Sequence, residues 1–316
     1  MSPTTPIAAI VGPTGSGKTD LGLALARRLP IEILVADSRQ VYRGMDIGTA
    51  KPDATAQAQV RHHLIDLVAV GEPFSVADWV SHARRVVPEV VGRGRLPLLV
   101  GGSGLYLAAL LDGYRLESAP PAGERERLAA DLATVGVGAL AERLQEVDPQ
   151  AARRIDLRNP RRVTRALERS AAIGGGATPA PTVMPWVGPL ALIGISRPRE
   201  VLNHRIDERA RWLFGNGLLD EVGRLLAAGH DPGRAPLTSH GYGEAARLLA
   251  GAWSPDEAVA VTARRTRQYA KRQATWFRRD PRIVWLAAGD AAGDDPLLVS
   301  QAEAMLRALP LNSTRA

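Results

Sequence analysis

Ile7-Ala-Ala-Ile-Val-Gly-Pro-Thr-Gly-Ser-Gly-Lys-Thr19, followed by Asp20-Leu-Gly-Leu-Ala-Leu-Ala-Arg-Arg-Leu29, reads as strand, phosphate loop and helix. The apolar run to Val11 suits a buried strand, and residues 12–19 match G-x-x-x-x-G-K-[ST] in full. Each residue type has a reason. Glycines let successive amides turn inward as an anion nest, the helix N-terminus adds positive potential, and Lys18 supplies a compact charge. The Thr19 hydroxyl is placed to ligate Mg²⁺, which takes oxygen ligands and bridges phosphates. Gly12, Pro13, Thr14, Gly15, Ser16, Gly17, Lys18 and Thr19 are thus the expected diphosphate or nucleotide (ATP-type) binding residues. The alternative, a chance glycine-rich turn, does not require the lysine and threonine in register. The motif says phosphate and leaves the phosphate compound open.

Working outward, residues 31–36 are a second apolar run ending at Asp37-Ser38, and residues 63–68 read as a short third strand. Residues 79–91 have helical spacing, and 96–100 form a buried strand ending in Gly101-Gly102. Strands alternating with helices imply a parallel sheet covered on both faces, with ligands at the C-terminal strand ends. Val11, Asp37 and residues 101–104 are therefore expected to face one crevice. After a polar link at 117–122 the pattern changes. Residues 124–173 read as helical, with breaks at Gly136, Gly138 and Pro149, and a glycine- and proline-rich loop follows at 174–181. An apolar run at 190–195 returns to the sheet; 199–228 and 255–278 are helical, and 283–286 is a last strand. The expected fold is α/β, a P-loop NTPase-like parallel-sheet core (1–112 plus 189–316) with an inserted helical domain (113–188).

Hydrophobic residues make up 45% of the 316, and charged residues 23%, as in ordinary globular proteins. There is no cysteine, which excludes disulfides, thiolate catalysis and thiolate metal sites and fits a reducing compartment. No signal peptide or membrane span is read, so the cytoplasm is expected. The net charge of +7 favours a polyanionic partner. Of 40 basic residues only three are lysine, Lys18, Lys51 and Lys271. With arginine used so widely, these lysines mark places where a planar fork does not replace a compact ammonium.

The stretch Asp37-Ser-Arg-Gln-Val-Tyr-Arg-Gly-Met-Asp-Ile-Gly-Thr-Ala-Lys-Pro52 resembles a signature of the tRNA dimethylallyltransferase family, bacterial type. His62-His-Leu-Ile-Asp66, Gly101-Gly-Ser-Gly-Leu-Tyr106, Arg205-Ile-Asp-Glu-Arg209 and Lys271-Arg-Gln-Ala-Thr-Trp-Phe-Arg278 are similar to its later blocks, in its order. All three lysines fall inside these blocks. The resemblance implies transfer of a dimethylallyl group from its diphosphate to N6 of the adenosine on the 3′ side of the tRNA anticodon. The partners it implies are dimethylallyl diphosphate and a tRNA anticodon stem-loop, with Mg²⁺ as cofactor, no membrane, and a monomer.

An exocyclic adenine amine needs a base to take its proton during attack. Asp37, at a strand end beside the loop, serves by position as base, Mg²⁺ ligand or helix cap; the resemblance assigns it the base. Lys18, Thr19 and Arg209 complete the implied catalytic set, the cations meeting the departing diphosphate. Arg205 shares a helix face with Arg209, and a solvated charged face explains it equally well. The implied tRNA contacts are Asp37, Ser38, Arg39, Gln40, Ser103, Arg125, the stretch Arg161, Arg162, Val163, Thr164 and Arg165 in the insertion, and Lys271, Arg272, Gln273 and Arg278. Guanidinium groups suit phosphates, and unpaired bases stack on aromatics such as Tyr269 and Trp276. Arg264, Arg267, Lys271 and Arg278 are expected near one face with these two rings. The adjacent His62 and His63 point to opposite faces of a strand and are read as structural. At residues 238–243, Ser239, His240 and Gly243 depart from the family pattern, and no tRNA contact is assigned there.

Overall fold

The computed structural model describes residues 5–113, 121, 123–176 and 185–310. It comprises two compact units, one of residues Met1–Asp112 with Pro185–Ala316 and one of Gly113–Met184. In chain order the first unit begins β1 (Ile7–Val11), α1 (Lys18–Ala26), β2 (Ile31–Ala36), α2 (Ala54–Gln59), β3 (His62–His63), α3 (Val76–Gly92), β4 (Leu96–Gly101) and α4 (Gly104–Leu111). The second unit holds α5 (Glu124–Val147), α6 (Pro149–Arg154) and α7 (Pro160–Ala172). The first resumes with β5 (Leu190–Ser196), α8 (Arg199–Gly215), α9 (Leu218–Ala227), α10 (Tyr242–Leu249), α11 (Pro255–Phe277), β6 (Ile283–Ala287) and α12 (Pro296–Arg307).

The six strands form one parallel sheet in the order β3-β2-β4-β1-β5-β6. Because β1, β2 and β4 are buried on both faces, they read as continuous apolar runs rather than alternations. Ile10, Leu21, Leu25, Ile33, Leu98 and Ile193 belong to the core between the sheet and α1. Parallel register brings the ends of β1, β4 and β2 level: Val11 lies opposite Gly101, and Gly101 opposite Ala36. The phosphate loop, Asp37 and the Gly101-Gly102 turn therefore leave the sheet side by side.

Residues 185–188 go with the sheet, not the insertion, because Trp186 donates its amide to the Leu111 carbonyl (2.7 Å) and its indole N–H to the Thr5 carbonyl (3.1 Å). The expected strand at 63–68 is only His62–His63 plus one isolated bridge from Val68 to Tyr42. Leu64 and Asp66, at φ of 66° and 54°, turn the chain out of the ladder. The 199–228 helix divides where Gly217 adopts φ 91°. In α5 the backbone leaves helical geometry at Gly136 but not at Gly138. The link at 117–122 lies outside the described residues apart from Pro121, and the loop at 174–181 is described only to Gly176.

Within the second unit, Leu128, Leu140, Leu144, Ala151, Val163 and Leu167 close a core of their own. Helix α7 starts at Asn159, whose side chain accepts from the Arg162 amide (3.3 Å), with Pro160 in the first turn. Its 3.6-residue period buries Val163, Ala166 and Leu167 and turns Arg161, Arg162 and Arg165 outward. Val163 is thus part of a core and presents no side chain to RNA, a correction to the sequence expectation.

Candidate active site

The phosphate loop closes on itself through the Ser16 amide and the Lys18 ammonium, which both donate to the Pro13 carbonyl (3.2 and 2.7 Å). Gly15 and Gly17, at φ of 80° and 93°, hold left-handed conformations that a side chain would resist. Gly17 caps α1 without a side-chain hydrogen bond, so the first amides of the helix are left for an anion. Three side chains brace the loop from outside. Arg205 donates to the Gly15 carbonyl (3.1 Å), Arg197 to that of Ser16 (2.8 Å), and Gln273 accepts from the Thr14 amide (2.9 Å). Arg205 is therefore a strut, not part of a solvated face.

Gln273 also donates to the Gly102 carbonyl (2.9 Å) and is buried. Expected at the RNA surface, it instead ties α11 to two of the three strand ends. Gln273→Leu leaves the Thr14 amide without a partner, while the Gly102 carbonyl keeps the Gly104 amide (3.1 Å). Urea unfolding should show a loss of roughly 1–3 kcal/mol, the usual cost of one buried group left unpaired. A loss under about 1 kcal/mol would mean that the amide is not the tie.

The loop opens into a cavity of about 710 Å³, whose lining includes Lys18, Thr19, Asp37, Gln40, Arg209 and Tyr269. Burial lowers the Lys18 ammonium to about pKa 8, although the Asp37 carboxylate acts against the shift; Arg209 adds to it. Burial likewise lowers Arg209, with Asp37 and Asp20 opposing. Asp37 therefore faces both cations. One of its oxygens accepts the Arg39 amide (2.8 Å), which fixes the carboxylate at the start of a turn. The Ser38 amide donates to Ser103 (3.2 Å), and Ser103 is hydrogen-bonded in turn to Tyr269, whose phenol burial pushes up. Among the expected site residues, Asp37, Lys18, Thr19, Arg209 and Gln40 share the cavity; Arg39, Ser38 and Ser103 stand at the Asp37 turn.

The wall opposite is held by a buried carboxylate. Glu221 accepts from the amides of Asp46 (3.0 Å), Ile47 (2.7 Å) and Gly48 (3.3 Å) and from the Tyr242 hydroxyl (2.5 Å). Gln40 donates to the carbonyls of Thr49 (3.0 Å) and Ala50 (3.1 Å). Lys51, only 2% exposed, binds Asp46 (2.6 Å) and Asp66 (2.5 Å). Sequence reasoning missed Glu221, Arg197 and the cavity-lining Trp212, which is 55% exposed beside the phosphate loop. Nothing local in the sequence separates them from core or surface. The unusual His240 packs on Tyr269 (ring centroids 5.4 Å apart), and burial lowers its imidazole to about pKa 4, so it is neutral. His63 bonds Glu32 (2.6 Å), and His62 bonds the Val60 carbonyl but also lines the cavity, which the sequence reading of both as structural did not foresee.

Among the described residues no cluster of three or more metal-ligating side chains occurs. Mg²⁺ nevertheless fits here, because it is commonly held by one or two protein oxygens plus substrate phosphates. Thr19 is exposed to the cavity and able to supply one.

The remaining expected RNA contacts divide. Arg125 is exposed and pairs with Glu168 (3.6 Å), as does Arg165 (2.7 Å); Arg161 and Arg162 are exposed. On α11 the expected basic face is present, since Arg264, Arg267, Lys271 and Arg278 line one cavity, but Tyr269 does not share it. Arg264, Lys271 and Arg278, seven residues apart, line a different cavity from Tyr269 and Gln273. Arg267 is engaged by Asp207.

A doubly covered parallel sheet with a braced phosphate loop and a facing carboxylate defines a P-loop enzyme acting on a phosphorylated substrate. The chain matches the IPP transferase family model over residues 40–280 and the isopentenyl transferase model over residues 5–72. It is 44% identical to the tRNA dimethylallyltransferase of Nocardioides sp., over 98% of this chain and 99% of the relative. It is 43% identical to that of Kineococcus radiotolerans, over 98% of each. The crystal structure of the full-length tRNA isopentenylpyrophosphate transferase from Bacillus halodurans superposes with a TM-score of 0.70 at 38% identity, over 96% of each chain. The chain belongs to the tRNA dimethylallyltransferase family.

Proposed function

We infer that this chain transfers a dimethylallyl group from dimethylallyl diphosphate to N6 of the adenosine on the 3′ side of the anticodon in tRNA. The observation that carries the reading is the Asp37 carboxylate facing Lys18 and Arg209 across one cavity, in a chain of this family. The loop amides and Lys18 hold the diphosphate, with Thr19 and Arg209 on its flanks. N6 attacks the allylic carbon, the carbon–oxygen bond breaks, diphosphate leaves, and the N6 proton passes to Asp37. Lys18 and Arg209 meet the charge that grows on the leaving oxygen, where partly buried cations act most strongly. Thr19 would hold Mg²⁺, which would supply further charge neutralisation. Tyr269, bonded to Ser103, packed on His240 and with the Arg272 guanidinium over its ring, lines the cavity that receives the adenine.

The RNA backbone is read as crossing Arg39, Arg272 and the outward arginines of α7. Replacing Arg161, Arg162 and Arg165 together with Ala should weaken tRNA binding. It should also flatten the log–log salt dependence by about one unit per lost contact. Affinity for dimethylallyl diphosphate should stay the same. An unchanged salt slope would remove α7 from the footprint. Among the described residues no helix is long and apolar enough to cross a membrane.

The reading is tested by incubating the protein with dimethylallyl diphosphate and either bulk tRNA or AMP. Dimethylallyl adenosine should form in tRNA alone. Product on AMP would point to a free nucleotide acceptor, and no product on either would overturn the transferase reading.

A further inference from the structure

On the far side of α11 from the active site lies a second cavity of about 680 Å³. Its rim carries Arg199, Arg264, Arg267, Lys271 and Arg278; among the described residues no carboxylate lines it, and of these cations Arg267 is paired, with Asp207 behind it. The other four, drawn to one concavity without acids, repel one another in water, and a polyanion would relieve that repulsion. The floor is of another kind. Ile195, Leu202, Ala274 and the half-buried indole of Trp285 make it apolar, with Asn203 and Gln268 as polar points. The absence of a side chain at Gly194 lets that indole lie on the backbone of β5. Convergent charges over an apolar, partly aromatic floor, in a volume of this size, suit a small ligand better than a flat phosphodiester track.

The cavity also backs onto the phosphate loop. Pro13, whose carbonyl holds Lys18, lines it. So does Arg197, which braces the Ser16 carbonyl and donates through its other arm to the Gly289 carbonyl (3.0 Å). The Arg197 Nη2 is buried without a hydrogen-bond partner. That nitrogen lies against Gly17, so Arg197 couples the cavity wall to the phosphate loop.

We propose that this cavity is a second anion site, which takes a nucleoside polyphosphate from solution. The rim arginines and Lys271 receive its phosphates, and the Trp285 floor receives its base. The site is separate from the one that binds the allylic diphosphate.

Equilibrium dialysis of ATP against the full chain at 0.15 M salt tests it. In Lys18→Ala, where the phosphate loop is disabled, one ATP per chain should still bind. Adding Arg199→Ala and Arg264→Ala, both at exposed positions whose loss circular dichroism can show to be harmless, should weaken that binding at least tenfold. The proposal falls if Lys18→Ala alone removes all ATP binding, or if the added substitutions leave it intact. It falls equally if binding occurs only at low salt. Should the two rim substitutions lower tRNA affinity without touching ATP, the cavity belongs to the RNA surface instead.

Discussion

Asp37→Ala should leave both substrates bound while slowing single-turnover transfer roughly 10²–10⁴-fold, the usual worth of a positioned general base. The carboxylate is held by the Arg39 amide, faces Lys18 and Arg209, and stands one strand away from the phosphate loop. Nothing in that geometry makes it a binding anchor for either substrate, so the loss should fall on kcat and not on KM. A metal-ligand role for the same carboxylate has a different signature. If Asp37 holds Mg²⁺, raising Mg²⁺ restores the Asp37→Ala rate toward wild type, and the base lies elsewhere. A rate that stays low across the titration keeps the base at Asp37. Asp37→Asn sharpens the comparison, since it keeps the hydrogen bond from the Arg39 amide and removes only the basic oxygen.

The sheet was legible because its strands are buried on both faces and its turns carry glycine. The runs ending at Val11, Ala36 and Gly101 announce themselves, and parallel register makes their ends meet. The short β3 was misjudged because two residues of pairing leave no period to read. Helix α12 gave no signal before the structure; it packs on α1 and the sheet through Leu298, Val299, Ala302 and Leu306. Such a stripe decides burial only once a partner is known.

In the site, residues within a motif were legible and residues acting across the fold were not. Lys18, Thr19 and Asp37 lie in continuous blocks. Glu221 reaches the Asp46–Gly48 amides from 173 to 175 positions away, and Gln273 reaches Thr14 from 259. Only the folded chain shows that a glutamine at an expected RNA surface is a buried tie. The same holds for α11. Its four basic residues share a face as the sequence suggested, yet Tyr269 lies on another, directed at the first cavity.

The lysine count bears on the second large effect. In a chain where nearly every basic residue is arginine, Lys18 is one of three exceptions, a compact ammonium that donates to the Pro13 carbonyl (2.7 Å). Lys18→Ala removes a charge that meets the diphosphate in the ground state and more strongly as the carbon–oxygen bond breaks. Both KM for dimethylallyl diphosphate and kcat should suffer, and kcat alone should fall about 10²–10³-fold. Its pH dependence identifies the group. Burial lowers the Lys18 ammonium from 10.5 to about 8, so the free enzyme carries this charge below pH 8 and loses it above. In the wild type, kcat/KM for the diphosphate should be full at pH 7 and decline as pH rises through about 8, because that ratio reports the free enzyme. At saturating diphosphate the bound anion favours the ammonium, and the decline in kcat should move to higher pH. Lys18→Arg keeps a charge at all these pH values but places a planar fork where the compact ammonium stands. It should abolish the alkaline decline while leaving turnover well below wild type. A decline that persists near pH 8 in Lys18→Ala would assign it to another group and leave Lys18 a purely structural contact to Pro13.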